Sequence, residues 1–228
     1  MTIEHVRAHF EDEAKKFDGT VQRLIPNYDA MIAALVSVIP FPREKAFYMV
    51  DLGCGTGTLS KAVKDSFPNA AVTCIDIASK MLEIAKDKLG RDVNYIQADF
   101  KNFSFSQKYD LIISSLALHH LETDDDKFGV YQKIYAALNN GGMFINIDFV
   151  LGSDEELQEQ YMKKWKEFLA KSMSQEEITK KWIPNYYAED RPTALTTHLE
   201  MLDSCGFSSV DVIYKYFNFA VYCGRKKD

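Results

Sequence analysis

The sequence predicts an α/β protein with a doubly wound, mainly parallel seven-stranded sheet. Short apolar runs alternate with helical patterns between residues 46 and 150, an order typical of a parallel sheet with helices on both faces. A glycine-rich turn follows the first run, and acidic residues end the next two. The chain has 228 residues, 46% of them hydrophobic, which suits one α/β domain with helical additions.

Each element is predicted from the local period of its apolar residues. A polar helical pattern covers residues 2–17, and an amphipathic helix interrupted by Pro26 covers residues 21–38. Strands are predicted at 46–51, 71–76, 92–97, 109–115 and 143–150, and helices at 57–67, 79–89 and 125–138.

The last third of the chain is predicted to be helical before it closes the sheet. Charged helices cover 154–182, with Tyr161, Trp165, Phe168 and Leu169 on one face, and a further helix covers 193–205. Two runs, 209–215 and 217–223, are predicted to form an antiparallel pair. We therefore interpret residues 1–228 as a single domain made of N-terminal helices (1–42), a core (43–152), a helical lid (153–192) and closing elements (193–228).

The glycine turn predicts a ligand site. Residues 50–57 read Val-Asp-Leu-Gly-Cys-Gly-Thr-Gly. Glycines let the backbone turn tightly and let a ligand lie against the main chain, while the following helix N-terminus offers free N–H groups. Because position 58 is Thr58, the turn departs from the dinucleotide pattern G-x-G-x-x-G. A small nucleoside ligand is therefore favoured.

Acidic residues end the second and third predicted strands. Asp76 closes the run 72–76, where an acid typically accepts hydrogen bonds from ribose hydroxyls. Asp99 closes the run 93–99 and is followed by Phe100. Such a carboxylate can accept a proton from an amino group while the ring covers a base. The alternative interpretation is three ordinary turns that carry acids by chance.

This ordered set resembles the class I S-adenosylmethionine-dependent methyltransferases, whose fold is Rossmann-like. The segments 109–121 and 138–144 look like that family's fourth strand and the turn before its fifth strand, with Asn140 where proline is usual. The resemblance implies S-adenosyl-L-methionine as the cofactor. It also implies the cofactor-binding residues Tyr28, Asp51, Gly53, Cys54, Gly55, Gly57, Asp76, Ile77, Met81, Asp99, Phe100, Ser115 and Leu116.

A narrower resemblance covers nearly the whole chain. Residues 26–29, 153–182, 197–207 and 216–219 look like the carboxy-S-adenosyl-L-methionine synthases and their methyltransferase relatives. Those enzymes hold the extra carboxylate of their cofactor with an arginine, and the matching position here is Met201. They also have an asparagine where this chain has Ser115. Both departures favour unmodified S-adenosylmethionine.

The resemblance implies methyl transfer to a small-molecule acceptor by in-line displacement. The candidates for a catalytic base are His119, His120 and Asp148, each of which has a structural alternative as a packing or hydrogen-bonding residue. The adjacent His119 and His120 are expected to diverge, and no histidine or cysteine lies at ligand spacing, so no metal is expected.

Composition limits the partners and the compartment. The net charge is −6 and the basic residues are scattered, so no nucleic-acid partner is expected. Four cysteines without C-x-x-C spacing, and the lack of a spanning or signal segment, predict a cytoplasmic protein with no membrane partner. A homodimer, the state of the relatives, stays open. The alternative functions are a cofactor-remodelling enzyme, a non-catalytic S-adenosylmethionine-binding module and an NAD-dependent oxidoreductase.

Overall fold

A mixed sheet lies at the centre of the computed structural model, which describes residues 3–227. Its strands are β1 (Phe47–Leu52), β2 (Ala70–Asp76), β3 (Asn94–Gln97), β4 (Tyr109–Ser115), β5 (Leu138–Leu151), β6 (Thr193–Ala194), β7 (Ser209–Tyr216) and β8 (Phe219–Arg225). Seven strands follow the order β3-β2-β1-β4-β5-β8-β7, and the short β6 pairs with the end of β5. The predicted fold class is therefore confirmed.

Strand directions place three strand ends side by side. Strands β1 to β5 are parallel, whereas β8 runs antiparallel to both β5 and β7. The carboxyl ends of β1, β2 and β4 thus meet at one edge, where ligands bind in such sheets. Strand β5 begins five residues earlier than predicted, since Leu138 already pairs with Tyr109 ahead of a register shift.

Ten α-helices are found in the part of the chain that the structure describes. They are α1 (Ile3–Glu13), α2 (Phe17–Leu24), α3 (Tyr28–Ser37), α4 (Thr58–Ser66), α5 (Ser79–Leu89), α6 (Asp124–Ala137), α7 (Glu155–Leu169), α8 (Gln175–Glu177), α9 (Ile183–Glu189) and α10 (Leu195–Ser204). A π-helical turn, Ile178–Trp182, joins α8 to α9. None of the described helices is both long and apolar enough to cross a bilayer.

The two faces of the sheet carry separate hydrophobic cores. Met31 of α3 and Val63 of α4 pack on one face, and Tyr131 of α6 and Leu202 of α10 pack on the other. Helix α7 joins the first core through Trp165, whose Nε1 donates a hydrogen bond to the Leu24 carbonyl at 2.7 Å. The segment that was predicted as a lid is thereby docked against the N-terminal helices.

Helix α1 is held over the strand ends by a hydrogen-bonded cap. Helix α5 begins after Ala78, which has no side chain that could cap it. The Glu11 carboxylate takes this role and accepts hydrogen bonds from the backbone N–H groups of Ser79 at 2.6 Å and Lys80 at 3.2 Å. Burial opposes ionisation of Glu11, but these bonds outweigh it and lower its pKa. An acid at a helix N-terminus is also favoured by the helix dipole.

Gly57 is required by the packing of α4 against α5. Its φ is +78°, and a Cβ there would lie 2.9 Å from Leu89 Cδ1 and 3.2 Å from Ala85 Cβ. Gly90 has a similar φ of +83°, but a Cβ there would meet nothing within 4 Å. The two glycines differ in ψ, which is +17° at Gly57 and −163° at Gly90, and only at Gly57 would a side chain add a packing cost to the backbone cost.

We predict that Gly57→Ala lowers the free energy of unfolding by more than the roughly 1–2 kcal/mol that a left-handed backbone costs an L-residue, because the added methyl group also crowds Ala85 and Leu89. Gly90→Ala should lower it by about 1–3 kcal/mol through the backbone alone, since φ +83° with ψ −163° is essentially restricted to glycine. Urea denaturation measures both losses. A loss of no more than about 1–2 kcal/mol for Gly57→Ala would show that the contact with α5 does not explain Gly57.

Candidate functional site

A cavity of about 650 Å³ opens at the carboxyl ends of β1, β2 and β4. This volume is within the usual range for small-molecule sites. It is lined by twelve of the residues that the sequence predicts to bind a cofactor: Tyr28, Asp51, Gly53, Cys54, Gly55, Asp76, Ile77, Met81, Asp99, Phe100, Ser115 and Leu116. These residues come from five separate segments of the chain.

Asp76 connects two walls of the cavity. One carboxylate oxygen accepts a hydrogen bond from the Gly55 N–H at 2.8 Å, and the other accepts one from the Ala78 N–H at 2.9 Å. Burial raises the pKa of Asp76 to about 6, although both bonds favour the ionised form. The carboxylate therefore holds the glycine turn against the start of α5 and still faces the cavity.

Asp51 lies beneath the glycine turn. The Ser60 hydroxyl donates a hydrogen bond to its Oδ2 at 2.7 Å, while Oδ1 has no hydrogen-bond partner among the described residues. Burial raises the pKa of Asp51 to about 7. A buried oxygen with free lone pairs that borders a cavity is available to a ligand donor.

The glycines of the turn have different roles. A Cβ on Gly53 would lie 2.4 Å from the Ala117 Cβ, so this glycine lets the turn pack against the loop after β4. A Cβ on Gly55 would meet Phe17 at 3.4 Å and no nearer atom, so Gly55 faces the cavity side. Gly57 does not line the cavity and packs on α5. Its expected contact with the cofactor stays a prediction.

The end of β4 supplies a second wall. Leu116 has a φ of +53°, which is strained for a residue with a side chain, and its N–H donates to the Ile147 carbonyl at 2.8 Å. The Ser115 Oγ is buried and has no hydrogen-bond partner within residues 3–227. The Tyr28 phenol lies beside Ser115; burial raises the pKa of Tyr28 to about 12, so its phenol stays neutral.

Asp99 and Phe100 form the third wall. Asp99 accepts hydrogen bonds from the Lys101 N–H at 2.9 Å and from the Asn102 side chain at 2.8 Å. These bonds shape the turn after β3 and place the Phe100 ring beside Gly53. The wall therefore combines a carboxylate with an aromatic ring, as the sequence predicts.

Two phenylalanines that sequence reasoning missed also line the cavity. Phe10 of α1 and Phe17 of α2 lie over it, and their rings meet edge to face with centroids 6.0 Å apart. Nearby, the Asp18 carboxylate accepts hydrogen bonds from Thr56 and from Lys88. The apolar period of α1 and α2 was the available signal, but it does not say what their apolar faces contact.

Met201 does not contribute to this site. It lies on α10 and packs in the core on the other face of the sheet, and it lines neither described cavity. Within one chain, Met201 is therefore not placed to distinguish S-adenosylmethionine from its carboxylated form, and that expectation has no support.

His119 and His120 converge, contrary to the expectation that they diverge. Both belong to a 3₁₀ turn, Leu118–His120, and their ring centroids are 4.2 Å apart. His119 Nε2 lies 3.5 Å and His120 Nδ1 lies 3.4 Å from the same oxygen of Asp190. A tight turn brings together two side chains that an extended backbone would send to opposite sides.

Asp148 acts on His119 and does not line either cavity. It is fully buried and pairs with His119 Nδ1 at 2.5 Å. It also accepts hydrogen bonds from the Asn146 side chain and the Phe149 N–H. Burial opposes protonation of His119, but the charges of Asp148 and Asp190 outweigh it and raise the His119 pKa. Burial, followed by the charge of His119, lowers the pKa of His120.

A second cavity of about 130 Å³ adjoins the first. Phe10, Phe17, Leu116 and His120 line both. The remaining wall of the second cavity is largely aromatic and includes Phe149, Trp165, Trp182 and Tyr186, with His119 and Asp190 at its polar end. The two cavities together could hold two ligands that meet beside His120.

Comparison with known proteins agrees with this geometry. Residues 49–142 match the family described as "Methyltransferase domain". Within these residues the chain is similar to the class I S-adenosylmethionine-dependent methyltransferases, whose fold it shares. The match covers β1 to the start of β5 and includes the glycine turn, Asp76 and Asp99.

Individual relatives match different lengths of this chain. Carboxy-S-adenosyl-L-methionine synthase of Vibrio cholerae is 29% identical over 222 residues, which cover 92% of this chain and 87% of that protein. Malonyl-[acyl-carrier protein] O-methyltransferase 1 of Ilyobacter polytropus is 30% identical over 139 residues, covering 60% of this chain and 49% of that protein. The chain thus spans about half the length of the malonyl-type relatives.

A solved structure shows the same fold. Human N-acetylserotonin methyltransferase, crystallised in complex with SAM, superposes with a TM-score of 0.64 at 19% identity. The superposition covers 97% of this chain and 57% of the human one. At this identity the likeness concerns the fold alone.

We predict that Asp76→Ala weakens binding of S-adenosylhomocysteine by about 1.5–3 kcal/mol, the scale of lost hydrogen bonds to a charged group. Calorimetry measures the affinity, and circular dichroism checks the fold, because the substitution also releases Gly55 and Ala78. Unchanged affinity in a folded variant would exclude Asp76 as a ligand contact.

The raised pKa of Asp76 predicts a pH dependence. Ligand hydroxyl groups donate to the ionised carboxylate, so affinity should fall as the pH falls through about 6, by about tenfold per unit below it. Asp51 titrates near 7. Asp76→Asn should therefore abolish the step near 6 in a calorimetric pH series, and any step of Asp51 should move to lower pH, because the charge of Asp76 contributes to its raised pKa. A pH dependence identical to that of the parent would show that Asp76 does not cause the step.

Proposed function

We propose that this chain transfers a methyl group from S-adenosylmethionine to a small-molecule acceptor. The observation that carries the proposal is the pair of adjoining cavities. The larger is bordered by the turn and acids that the family uses for its cofactor, and the smaller is aromatic and has a polar end. They share His120 and Leu116, so two ligands bound there would be neighbours.

The residues of the larger cavity fit S-adenosylmethionine. Asp76 would accept hydrogen bonds from the ribose, and Asp99 with Phe100 would contact the adenine. The free Oδ1 of Asp51 and the free Oγ of Ser115 offer hydrogen-bonding capacity for the amino-acid part. When bound, S-adenosylmethionine supplies an electrophilic methyl group on a sulfonium.

The apolar and small residues of this cavity complete the fit. Ile77 and Met81 border the region between Asp76 and α5, where they would contact the adenine face. Gly55 and Cys54 leave the main chain of the turn accessible on the cavity side. Tyr28 stays neutral, so its phenol can donate a hydrogen bond to a carboxylate of the ligand.

The smaller cavity is the proposed acceptor site. Its aromatic walls favour an acceptor with an apolar or planar body, which they would shield from water. Residues 153–192 supply Trp165, Trp182 and Tyr186 to this wall, which supports their role as a lid. A hydroxyl, thiol or amine acceptor would lie with its nucleophilic atom toward the polar end of the cavity.

The polar end supplies groups that can manage a proton. His119, His120 and Asp190 border the acceptor cavity and are the proposed catalytic cluster. Asp148 is a positioning residue, because it bonds His119 Nδ1 and does not reach the cavity. An acceptor whose nucleophilic atom is still protonated when it binds would lose its proton to this cluster as that atom approaches the methyl group.

A cofactor-remodelling enzyme is the second candidate. The Vibrio cholerae synthase matches 92% of this chain, a longer match than the malonyl-type relatives give. Mass spectrometry of the small molecule that copurifies with the protein distinguishes the two candidates. A carboxylated cofactor would favour remodelling, and S-adenosylmethionine or S-adenosylhomocysteine would favour methyl transfer.

We predict micromolar binding of S-adenosylhomocysteine and turnover of S-adenosylmethionine with acceptors that carry an aromatic body. Tyr186→Leu should raise the acceptor KM at least about tenfold, the scale of a lost aromatic contact of about 1.5 kcal/mol. It should leave the S-adenosylhomocysteine Kd within about twofold.

Tyr187→Leu is the matched control. Tyr187 is the next residue of α9 but is 64% exposed, whereas Tyr186 is buried in the second cavity. Thermal unfolding checks that both variants fold. No heat with S-adenosylhomocysteine would refute the cofactor assignment, and equal KM changes in the two variants would place the acceptor elsewhere.

A further inference from the structure

Three metal-ligating atoms converge at the polar end of the second cavity. His119 Nε2, His120 Nδ1 and an Asp190 oxygen all lie within 4.8 Å of one another. The two nitrogens are 3.5 and 3.4 Å from the same Asp190 oxygen. These separations exceed the 2.7–3.2 Å of an N–H···O hydrogen bond. The three groups therefore face one another without forming direct hydrogen bonds.

The two separations from Asp190 match a four-coordinate metal site. Ligands about 2.1 Å from a tetrahedral zinc ion lie about 3.4 Å apart. Neighbouring ligands of an octahedral ion at the same bond length would lie about 3.0 Å apart. The two observed distances are close to the tetrahedral value. Two imidazoles with one carboxylate also form the protein ligand set of several catalytic zinc sites.

The surroundings of the His119 and His120 rings leave one nitrogen of each ring facing Asp190. His119 Nδ1 is held by Asp148, which leaves Nε2 for a ligand. Carboxylate partners of this kind typically orient the histidine ligands of zinc. His120 Nδ1 is buried and has no hydrogen-bond partner among residues 3–227. An unpartnered buried nitrogen is costly unless a ligand satisfies it.

The backbone holds the donors in place before any ligand arrives. His119 and His120 belong to one 3₁₀ turn after β4, and Asp190 directly follows α9. The Arg191 N–H donates to the His119 carbonyl at 2.8 Å and fixes the end of α9 against this turn. The site thus joins the core of the molecule to the segment 153–192.

We propose that His119 Nε2, His120 Nδ1 and Asp190 bind a divalent cation of the zinc class, with a remaining coordination position toward the second cavity. The adjacent histidines, which the sequence suggests cannot share a ligand, are its two nitrogen donors. Metal binding can be measured without methyl transfer, although an ion bound to these three groups would occupy the atoms proposed above to take the acceptor's proton. If the acceptor binds in this cavity, coordination would lower the pKa of its hydroxyl or thiol, a consequence that rests on the proposed function.

The test uses full-length protein dialysed against a chelator and then titrated with Zn²⁺ by calorimetry and with Co²⁺ by visible absorption. We expect one ion per chain and the intense visible bands of tetrahedral Co²⁺. Asp190→Asn and His120→Ala should each weaken Zn²⁺ binding at least 100-fold. Asp148→Asn keeps all three ligands and should weaken it about 10- to 100-fold.

His9→Gln is the matched control. His9 lines the same cavity and lies 3.4 Å from Glu189, but it does not belong to the converging group. This variant should bind Zn²⁺ like the parent. Zn²⁺ should also raise the thermal midpoint of the parent and not that of Asp190→Asn, which separates lost binding from lost folding.

Two results would overturn the proposal. One is a parent protein that shows neither Zn²⁺ heat nor visible Co²⁺ bands, in which case the cluster is an ion-pair network alone. The other is parent-like affinity in folded Asp190→Asn and His120→Ala, which would place the ion elsewhere. S-adenosylhomocysteine binding to the metal-free protein is measured in parallel, so failure of the metal site and failure of the proposed function are distinguishable.

Discussion

The paired hydrogen bonds of Asp76 are the constraint on which the site depends. A single carboxylate at the end of β2 accepts hydrogen bonds from the N–H groups of Gly55 and Ala78. It thereby joins the turn after β1 to the start of α5. Burial of this charge is unfavourable, as its raised pKa shows. The backbone bonds offset part of that cost, and Asp76 still lines the cavity. Structural support and the proposed ligand contact thus fall on the same carboxylate.

Local sequence patterns are sufficient for the sheet and for most of the larger cavity. Apolar period and turn residues depend on neighbours along the chain, so they predict the strands, the parallel order and the acids at strand ends. Twelve residues that were expected to bind a cofactor indeed line one cavity. A glycine motif cannot by itself distinguish a glycine needed by a ligand from one that packs on a neighbouring helix, as Gly57 does.

The missed features all depend on tertiary packing. Phe10 and Phe17 belong to amphipathic helices whose apolar faces are evident, but only docking decides that they cover a cavity. The convergence of His119 and His120 needs a 3₁₀ turn and an aspartate 70 positions further along the chain. Met201 was assigned to the cofactor site by comparison with relatives. Its helix, α10, instead packs in the core that it shares with α6. Sequence spacing does not encode these contacts.

The cap that Glu11 provides for α5 has a kinetic consequence. Phe10 is the neighbour of Glu11 on α1 and lines the larger cavity, so loss of the cap would free this part of the cavity wall. Amide hydrogen exchange at Ser79 and Lys80 would register such a local opening. The lifetime of one carboxylate cap thereby limits how long this part of the wall stays in place.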